Sequence, residues 1–307
     1  MLESGGDTAG AGGARRRKAA RFALRAGITG AILVALFRWL DTGAVLAATK
    51  NTGLALWGVT VVAHVALHIG VAVKWRLLLI AAGANPPMLD TLRAHGAGVC
   101  ANLYLPSIVG GEVVRVGMIA SRTGHPTAVV SAGVVDRAMD LVALITLAAG
   151  GLLAVSKARS AVNLQVVLLA AIGVIGSLAA FLVVVRLLHA RGVPARLASV
   201  AAGLRTSFAT IWRRRGLAML ALGASITIQA LFVLQNVWLA RAIGIDVPVP
   251  VWFAVWPIAK LASLSPFSLG GLGVREGVLA ALLIPFGVPP ALAVAESLVW
   301  QTVMYAL

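Results

Sequence analysis

Six stretches of this chain are each apolar enough and long enough to cross a lipid bilayer: residues 22–40, 53–73, 126–155, 164–188, 217–240 and 290–307. A helix needs about 20 mainly apolar residues to span the hydrocarbon core. At that depth no water serves the backbone, so its N–H and C=O groups must be satisfied within the segment, which favours helices. Composition agrees. Residues of the AVILMFWYC set make up 60% of the 307 and charged residues 12%, too little charge to cover a water-soluble enzyme of this size. A soluble enzyme is therefore excluded.

The charge that is present sets an orientation. Residues 1–20 read as a disordered, basic cytoplasmic tail: 1–13 are rich in Gly and Ala without periodicity, and Arg15, Arg16, Arg17 and Lys18 follow. A basic run before an apolar one also fits a cleaved signal peptide. Here the apolar stretch is long enough to span and more spans follow, so a start-anchor is expected. With the N-terminus inside, spans one and two return the chain to the cytoplasm at Lys74, Arg76 and Arg93. Spans three and four return it at Arg191, Arg196, Arg205, Arg213, Arg214 and Arg215. That is the positive-inside pattern, with Lys157 and Arg159 a mild exception. Lys and Arg number 26 against 10 acidic residues, for a net charge of +16. In a membrane chain this excess points to anionic lipid headgroups and not to nucleic acid. Residues 21–307 are expected to form one multi-pass domain in the cytoplasmic membrane. The single cysteine, Cys100, excludes an intrachain disulfide and a Cys-based metal cluster.

Two segments, 96–120 and 252–280, are apolar enough for membrane depth but carry Pro, paired Gly and charge. Such irregular backbone persists there only where protein buries it or a wet cavity meets it, so broken or re-entrant helices are expected. The two segments share a pattern. Pro106, Gly110, Gly111 and Arg115 recur as Pro266, Gly270, Gly271 and Arg275, a shift of 160 at every position. The same shift carries Val114 onto Val274, Gly117 onto Gly277 and Asp136 onto Glu296. One copy follows span two and the other span five, so they enter from opposite sides, as in inverted-repeat transporters. The expected fold class is thus all-α integral membrane, with about six full spans plus two broken or re-entrant segments. These form an inverted repeat of halves at about 22–155 and 164–307.

Paired Gly at a helix start exposes backbone N–H groups that, with the helix dipole, favour an anion. Arg115 and Arg275, one turn later, add forks suited to phosphate oxygens. Two such constructions from opposite faces would suit a phosphate headgroup passing between leaflets. Alternatively, the Gly pairs only allow tight helix crossing. Partner acids are at hand in Glu112 and Glu276. Asp136, Arg137 and Asp140 lie well inside span three, where ionisable groups face a cavity or each other. Arg137 and Asp140 can neutralise each other at i,i+3, leaving Asp136 for Arg115, a substrate or a proton, with Glu296 acting likewise opposite Arg275. The bland alternative is a set of static ion pairs. The candidate substrate-binding set is Gly110, Gly111, Glu112, Arg115, Asp136, Arg137, Asp140, Gly270, Gly271, Arg275, Glu276 and Glu296.

Other features are weaker. His64 and His68 share a helix face but have no evident third ligand, so neither a metal nor another cofactor is expected. Gln229 and Asn236 read as interhelical glue. Lys260 either contacts a headgroup or snorkels. Trp39, Trp57, Trp75, Trp212 and Trp252 fall where an aromatic belt would. No nucleotide-binding, nucleophile-elbow or zinc motif occurs, so enzymatic activity is not expected.

Three strings carry a family resemblance: Asn102-Leu-Tyr-Leu-Pro106 with Gly110-Gly111-Glu112-Val-Val-Arg115; Val135-Asp136-Arg137-Ala-Met-Asp140; and Ser265-Pro266-Phe-Ser-Leu-Gly270-Gly271-Leu-Gly273-Val-Arg275-Glu276-Gly277. Over nearly all of residues 20–307 the chain resembles the lysylphosphatidylglycerol synthetase transmembrane-region family, with Asp136 where Glu is expected before Arg137. The resemblance implies a flippase-like protein that moves an anionic or aminoacylated phospholipid or a polyprenyl-phosphate-linked lipid. Members that also make lysylphosphatidylglycerol carry a soluble transferase domain that these residues do not contain, so that synthesis is not implied. The expected partners are membrane lipids with phosphate headgroups, and envelope-biosynthesis proteins are further candidates. A membrane-bound lipid-modifying enzyme and a non-transporting envelope scaffold are the rival readings.

Overall fold

The computed structural model describes Gly43 and residues 53–104, 110–155, 195–263 and 273–307. The tail, the expected spans at 22–40 and 164–188, Trp39, Pro106, Pro266, Gly270 and Gly271 lie outside these residues. The described residues form nine α-helices and no strand. They are α1 (Leu54–Ala81), α2 (Met88–Tyr104), α3 (Gly110–Thr123), α4 (Pro126–Ala154), α5 (Ala195–Arg213), α6 (Arg215–Ala242), α7 (Val249–Ser263), α8 (Val274–Leu283) and α9 (Pro290–Tyr305). A short 3₁₀ turn, Ile284–Phe286, links the last two.

The helix ends follow from local chemistry. Gly83 takes φ +96°, and its N–H reaches the carbonyl of Ile80 while that of Ala84 reaches Leu79. Gly244, at φ +88°, is followed by the same two bonds, to Arg241 and Ala240. Both are Schellman closures, which need a residue free to enter the left-handed region. The prolines that follow, Pro86 and Pro87 in one case and Pro248 in the other, cannot extend the helix. α1 therefore runs past the expected end of span two at Val73, and Lys74 is an interior residue instead of a cytoplasmic flank. The expected spans 126–155, 217–240 and 290–307 coincide closely with α4, α6 and α9.

The helix order recurs. Shifted by 161 residues, α1 coincides end for end with α6, and α2, α3 and α4 are followed in the same order by α7, α8 and α9. In the two segments expected to be broken the described helices are α2 and α3 in the first and α7 and α8 in the second, and residues 105–109 and 264–272 between them lie outside the described residues. α2 and α3 pack closely because both sides of the crossing are glycine. A Cβ on Gly98 would lie 2.9 Å from the Gly111 carbonyl oxygen, and one on Gly111 would lie 2.5 Å from the Asn102 side chain.

Polarity is inverted relative to a soluble protein. Val59, Val62, Ile69 and Val73 on α1, and Leu220, Leu231, Leu234 and Trp238 on α6, face outward, while Lys74, Arg115, Asp136, Glu276 and Glu296 are buried. α1 and α6 are long and apolar enough to cross a membrane, and an outward apolar face suits lipid tails, which solvate it without cost. Two apolar clusters hold the helices together. One centres on Trp75, Leu78, Leu79, Ile119 and Val129, the other on Phe232, Trp252, Trp256, Leu279 and Trp300.

Candidate functional site

The first charged cluster is assembled from three elements. α1 brings Lys74, α3 brings Glu112 and Arg115, and α4 brings Asp136, Arg137 and Asp140. Arg115 donates from Nε to Glu112 at 2.9 Å and from Nη2 to Asp136 Oδ2 at 2.9 Å. Its guanidinium also lies 4.3 Å from the centre of the Trp75 ring, a cation–π contact. Lys74 Nζ is 2.9 Å from Asp136 Oδ1 and donates to Asp140 at 2.5 Å and to Ser225 at 2.9 Å. Arg137 pairs with Glu112, and its approach to Asp140 is a loose 3.8 Å. Three cations thus meet three carboxylates. The exposed fraction of the side chain is 2% for Arg115 and 0% for Asp136.

The expected Arg115–Asp136 pair is present. The expected Arg137–Asp140 neutralisation is secondary, because Glu112 takes Arg137 and Lys74 takes Asp140. Lys74 is the member of the cluster that sequence reading missed. Its place at the end of an apolar stretch suggested a flank, and the signal against that reading was the apolar run Leu77-Leu-Leu-Ile80 just beyond it.

The second cluster is built differently. Glu276 accepts a 2.6 Å bond from the Gly273 N–H and so caps α8. Arg275 donates to Glu276 at 2.8 Å, to the Ser297 hydroxyl at 3.0 Å and to Gln301 at 2.8 Å. The expected partnership with Glu296 does not form. Glu296 is fully buried and neither of its carboxyl oxygens has a hydrogen-bond partner among the described residues. Lys260 stands apart from both clusters. It is half-buried, donates to Gln229 at 2.9 Å, lies 5.0 Å from the Phe232 ring, and pairs with no carboxylate among the described residues.

The helix N-termini that the sequence offered to an anion are partly taken. Asn102 accepts the Gly111 N–H at 2.9 Å, and Glu276 takes that of Gly273. Gly110 opens α3, while Gly270 and Gly271 lie outside the described residues. Gln229 bridges helices as expected. Asn236 bonds within its own helix, to the Phe232 carbonyl, and the second interhelical bridge is Gln235. Trp75 and Trp252 are fully buried and belong to no aromatic belt, whereas Trp212 is 80% exposed. An open apolar groove of about 520 Å³ runs between α1 and α6, lined by Leu56, Leu234, Val237 and Trp238 with Arg241 at its side.

The family model described as the lysylphosphatidylglycerol synthase TM region matches residues 22–307. No curated protein and no solved structure matches. The chain therefore belongs to that family and is a membrane protein of a lipid-linked family.

Proposed function

We propose that this member of the lysylphosphatidylglycerol synthase TM region family carries a phosphate-bearing lipid between the leaflets of the cytoplasmic membrane. Lys260 and Arg275 take the headgroup. Lys260 is the observation that supports this reading most. The cations of the first cluster and Arg275 each have a carboxylate in contact, whereas among the described residues Lys260 touches only an amide oxygen and a ring face and is reached by Asp140 only from beyond contact distance. An ammonium at membrane depth is costly without a counter-charge, and a phosphate would supply one. Arg275 is among the charges that act on Lys260, after Asp140, Arg137 and Lys74, and it keeps 13% of its side chain exposed, so a phosphate oxygen can approach its guanidinium.

Arg115 has a different part. It is closed over by Trp75 and already shared between two acids, so it holds α3 against α4 while the substrate meets Lys260 and Arg275. The carried lipid is an anionic or aminoacylated phospholipid or a polyprenyl-phosphate-linked lipid. In this reading the two helix sets, α1–α4 and α6–α9, lie in opposite orientation across the bilayer, the chain crosses about six times, and the N-terminus is cytoplasmic. The recurrence of helix order at a shift of 161 supports the repeat, and the basic stretches support the orientation.

The test is headgroup movement in proteoliposomes containing labelled phosphatidylglycerol, its lysylated form or a polyprenyl phosphate. Wild type is expected to move one class, and Lys260→Gln with Arg275→Gln to move none while still folding. No movement of any lipid by folded wild type would overturn the proposal in favour of a scaffold. Chemical turnover of a lipid would overturn it in favour of an enzyme.

A further inference from the structure

Three imidazoles form an unbroken hydrogen-bonded chain between the two helix sets. His68 Nδ1 lies 3.0 Å from His95 Nε2, and His68 Nε2 lies 3.2 Å from His64 Nε2. His64 Nδ1 in turn lies 2.9 Å from Gln235 Oε1. His64 and His68 are one turn apart on α1, His95 is on α2 and Gln235 is on α6. The far end is fixed by the backbone. Gln235 Nε2 donates to the Thr60 carbonyl at 2.7 Å, which turns Oε1 toward His64 and requires His64 Nδ1 to carry its hydrogen. His64 Nε2 is then the acceptor for His68 Nε2–H, and His68 Nδ1 the acceptor for His95 Nε2–H. Each ring has one N–H, and every donor points the same way, from His95 toward Gln235. These tautomers are assigned from the hydrogen-bond partners.

We propose that this chain is a proton relay and that the proton is the coupling ion for the lipid movement proposed above, on which the coupling rests. A proton arriving at His95 Nδ1 releases the Nε2 proton to His68 Nδ1. His68 Nε2 then passes its proton to His64 Nε2. One proton enters, two hop, and His64 is left with hydrogen on both nitrogens while His68 and His95 each keep one, now on Nδ1. The two bonds between the rings have reversed direction, that from His64 Nδ1 to Gln235 has not, and the charge has moved from α2 to the interface of α1 with α6 and α9. There His64 is bounded by Phe232, by the edge of Trp300 at 4.8 Å and by Met304 Sδ at 3.2 Å. Histidine chains at membrane depth are a recurrent means of moving protons in transporters.

The charged groups around the relay place it between the first charged cluster and Lys260. Lys260 on α7 acts on His64 and His68. Lys74, Arg115, Asp136 and Arg137 act on His95 from α1, α3 and α4. α6 and α9 contribute the uncharged Phe232, Gln235, Trp300 and Met304. A proton reaching His64 therefore leaves the neighbourhood of the balanced first cluster and enters that of Lys260, where it opposes a second cation.

His68→Gln is the informative variant, because glutamine keeps one donor and one acceptor at the centre of the chain yet does not pass a proton. Wild type and variant are reconstituted with entrapped pyranine under a valinomycin–potassium clamp and given an external acid step, with labelled phosphatidylglycerol movement followed in parallel. Wild type is expected to acidify the lumen faster than protein-free liposomes and to move lipid faster with the gradient, and His68→Gln to lose both responses. His95→Gln gives the same reading from the other end should His68→Gln aggregate. Equal proton flux in wild type and both variants would overturn the relay. So would a stoichiometric transition metal in purified wild type, which would make the rings ligands. Failure of the lipid reading looks different: no lipid moves, while the pyranine traces still separate wild type from variant.

Discussion

Lys74 and Asp136 meet at 2.9 Å with 1% and 0% of their side chains exposed. Because Arg115 holds the other oxygen of Asp136, this single carboxylate ties α1, α3 and α4 together at one point. Neither cation has water to fall back on. Removing one partner of a buried ion pair strands the other, at a cost of about 3–5 kcal/mol.

Lys74→Met should therefore lower the stability of the protein in detergent by about that amount, read as a fall in the thermal or denaturant midpoint. Lys74→Met combined with Asp140→Leu removes one charge of each sign and leaves the Arg115–Asp136 pair intact. The double variant should recover most of the loss. A single variant that melts with wild type would mean that Lys74 contributes no net stability.

Much of this arrangement was legible in the sequence, for identifiable reasons. Helix positions followed from apolar length and from Pro and Gly punctuation, so α4, α6 and α9 fall where the spans were expected. The pairing of Arg115 with Asp136 was legible because two opposite charges at membrane depth have few other partners. Lys74 was misread because a lysine at the end of an apolar stretch has the same local pattern whether the helix stops there or runs on. Glu296 was misread because the repeat conserves position and not partner. At the second copy Ser297 and Gln301 present acceptors that α4 lacks, and Arg275 turns to them. The histidine chain was half legible: His64 and His68 share a helix face, but His95 and Gln235 come from elements whose packing one-dimensional spacing does not encode.

The tight crossing of α2 and α3 makes a graded prediction. Gly98→Ala and Gly111→Ala each push a methyl group into backbone or into Asn102, an overpacking that costs about 1–3 kcal/mol and more where the obstacle is backbone. Gly117 lies on the same helix as Gly111 but meets nothing within 4 Å. Gly117→Ala should be neutral or stabilising by about 0.5–1 kcal/mol, the helical preference for alanine. The comparison is read by melting and by the monodisperse fraction in size-exclusion chromatography. Equal behaviour of all three would contradict the close crossing of α2 and α3.

Lys260 separates a binding role from a structural one. It forms no ion pair among the described residues, so Lys260→Met breaks none and removes a cation that Asp140 offsets only from beyond contact distance. Its melting midpoint should equal or exceed that of wild type, while binding of a phosphate-headgroup lipid falls. A strongly destabilised Lys260→Met would instead show that the ammonium holds the helices together through Gln229.

Asp136 and Glu296 occupy matching positions of the repeat and should respond oppositely to neutralisation. Asp136→Asn withdraws one of two carboxylates from Lys74 and from Arg115 at once, and a loss of about 3 kcal/mol is expected. Glu296 makes no hydrogen bond and no ion pair among the described residues, and an unsatisfied buried polar group is itself a cost of about 1–3 kcal/mol. Glu296→Met is close in size and apolar, so it should leave stability unchanged or raise it. The two variants are compared by unfolding midpoints in the same detergent. If Glu296→Met falls as far as Asp136→Asn, then Glu296 pairs with Arg275 after all, and the second copy of the motif works as the first does.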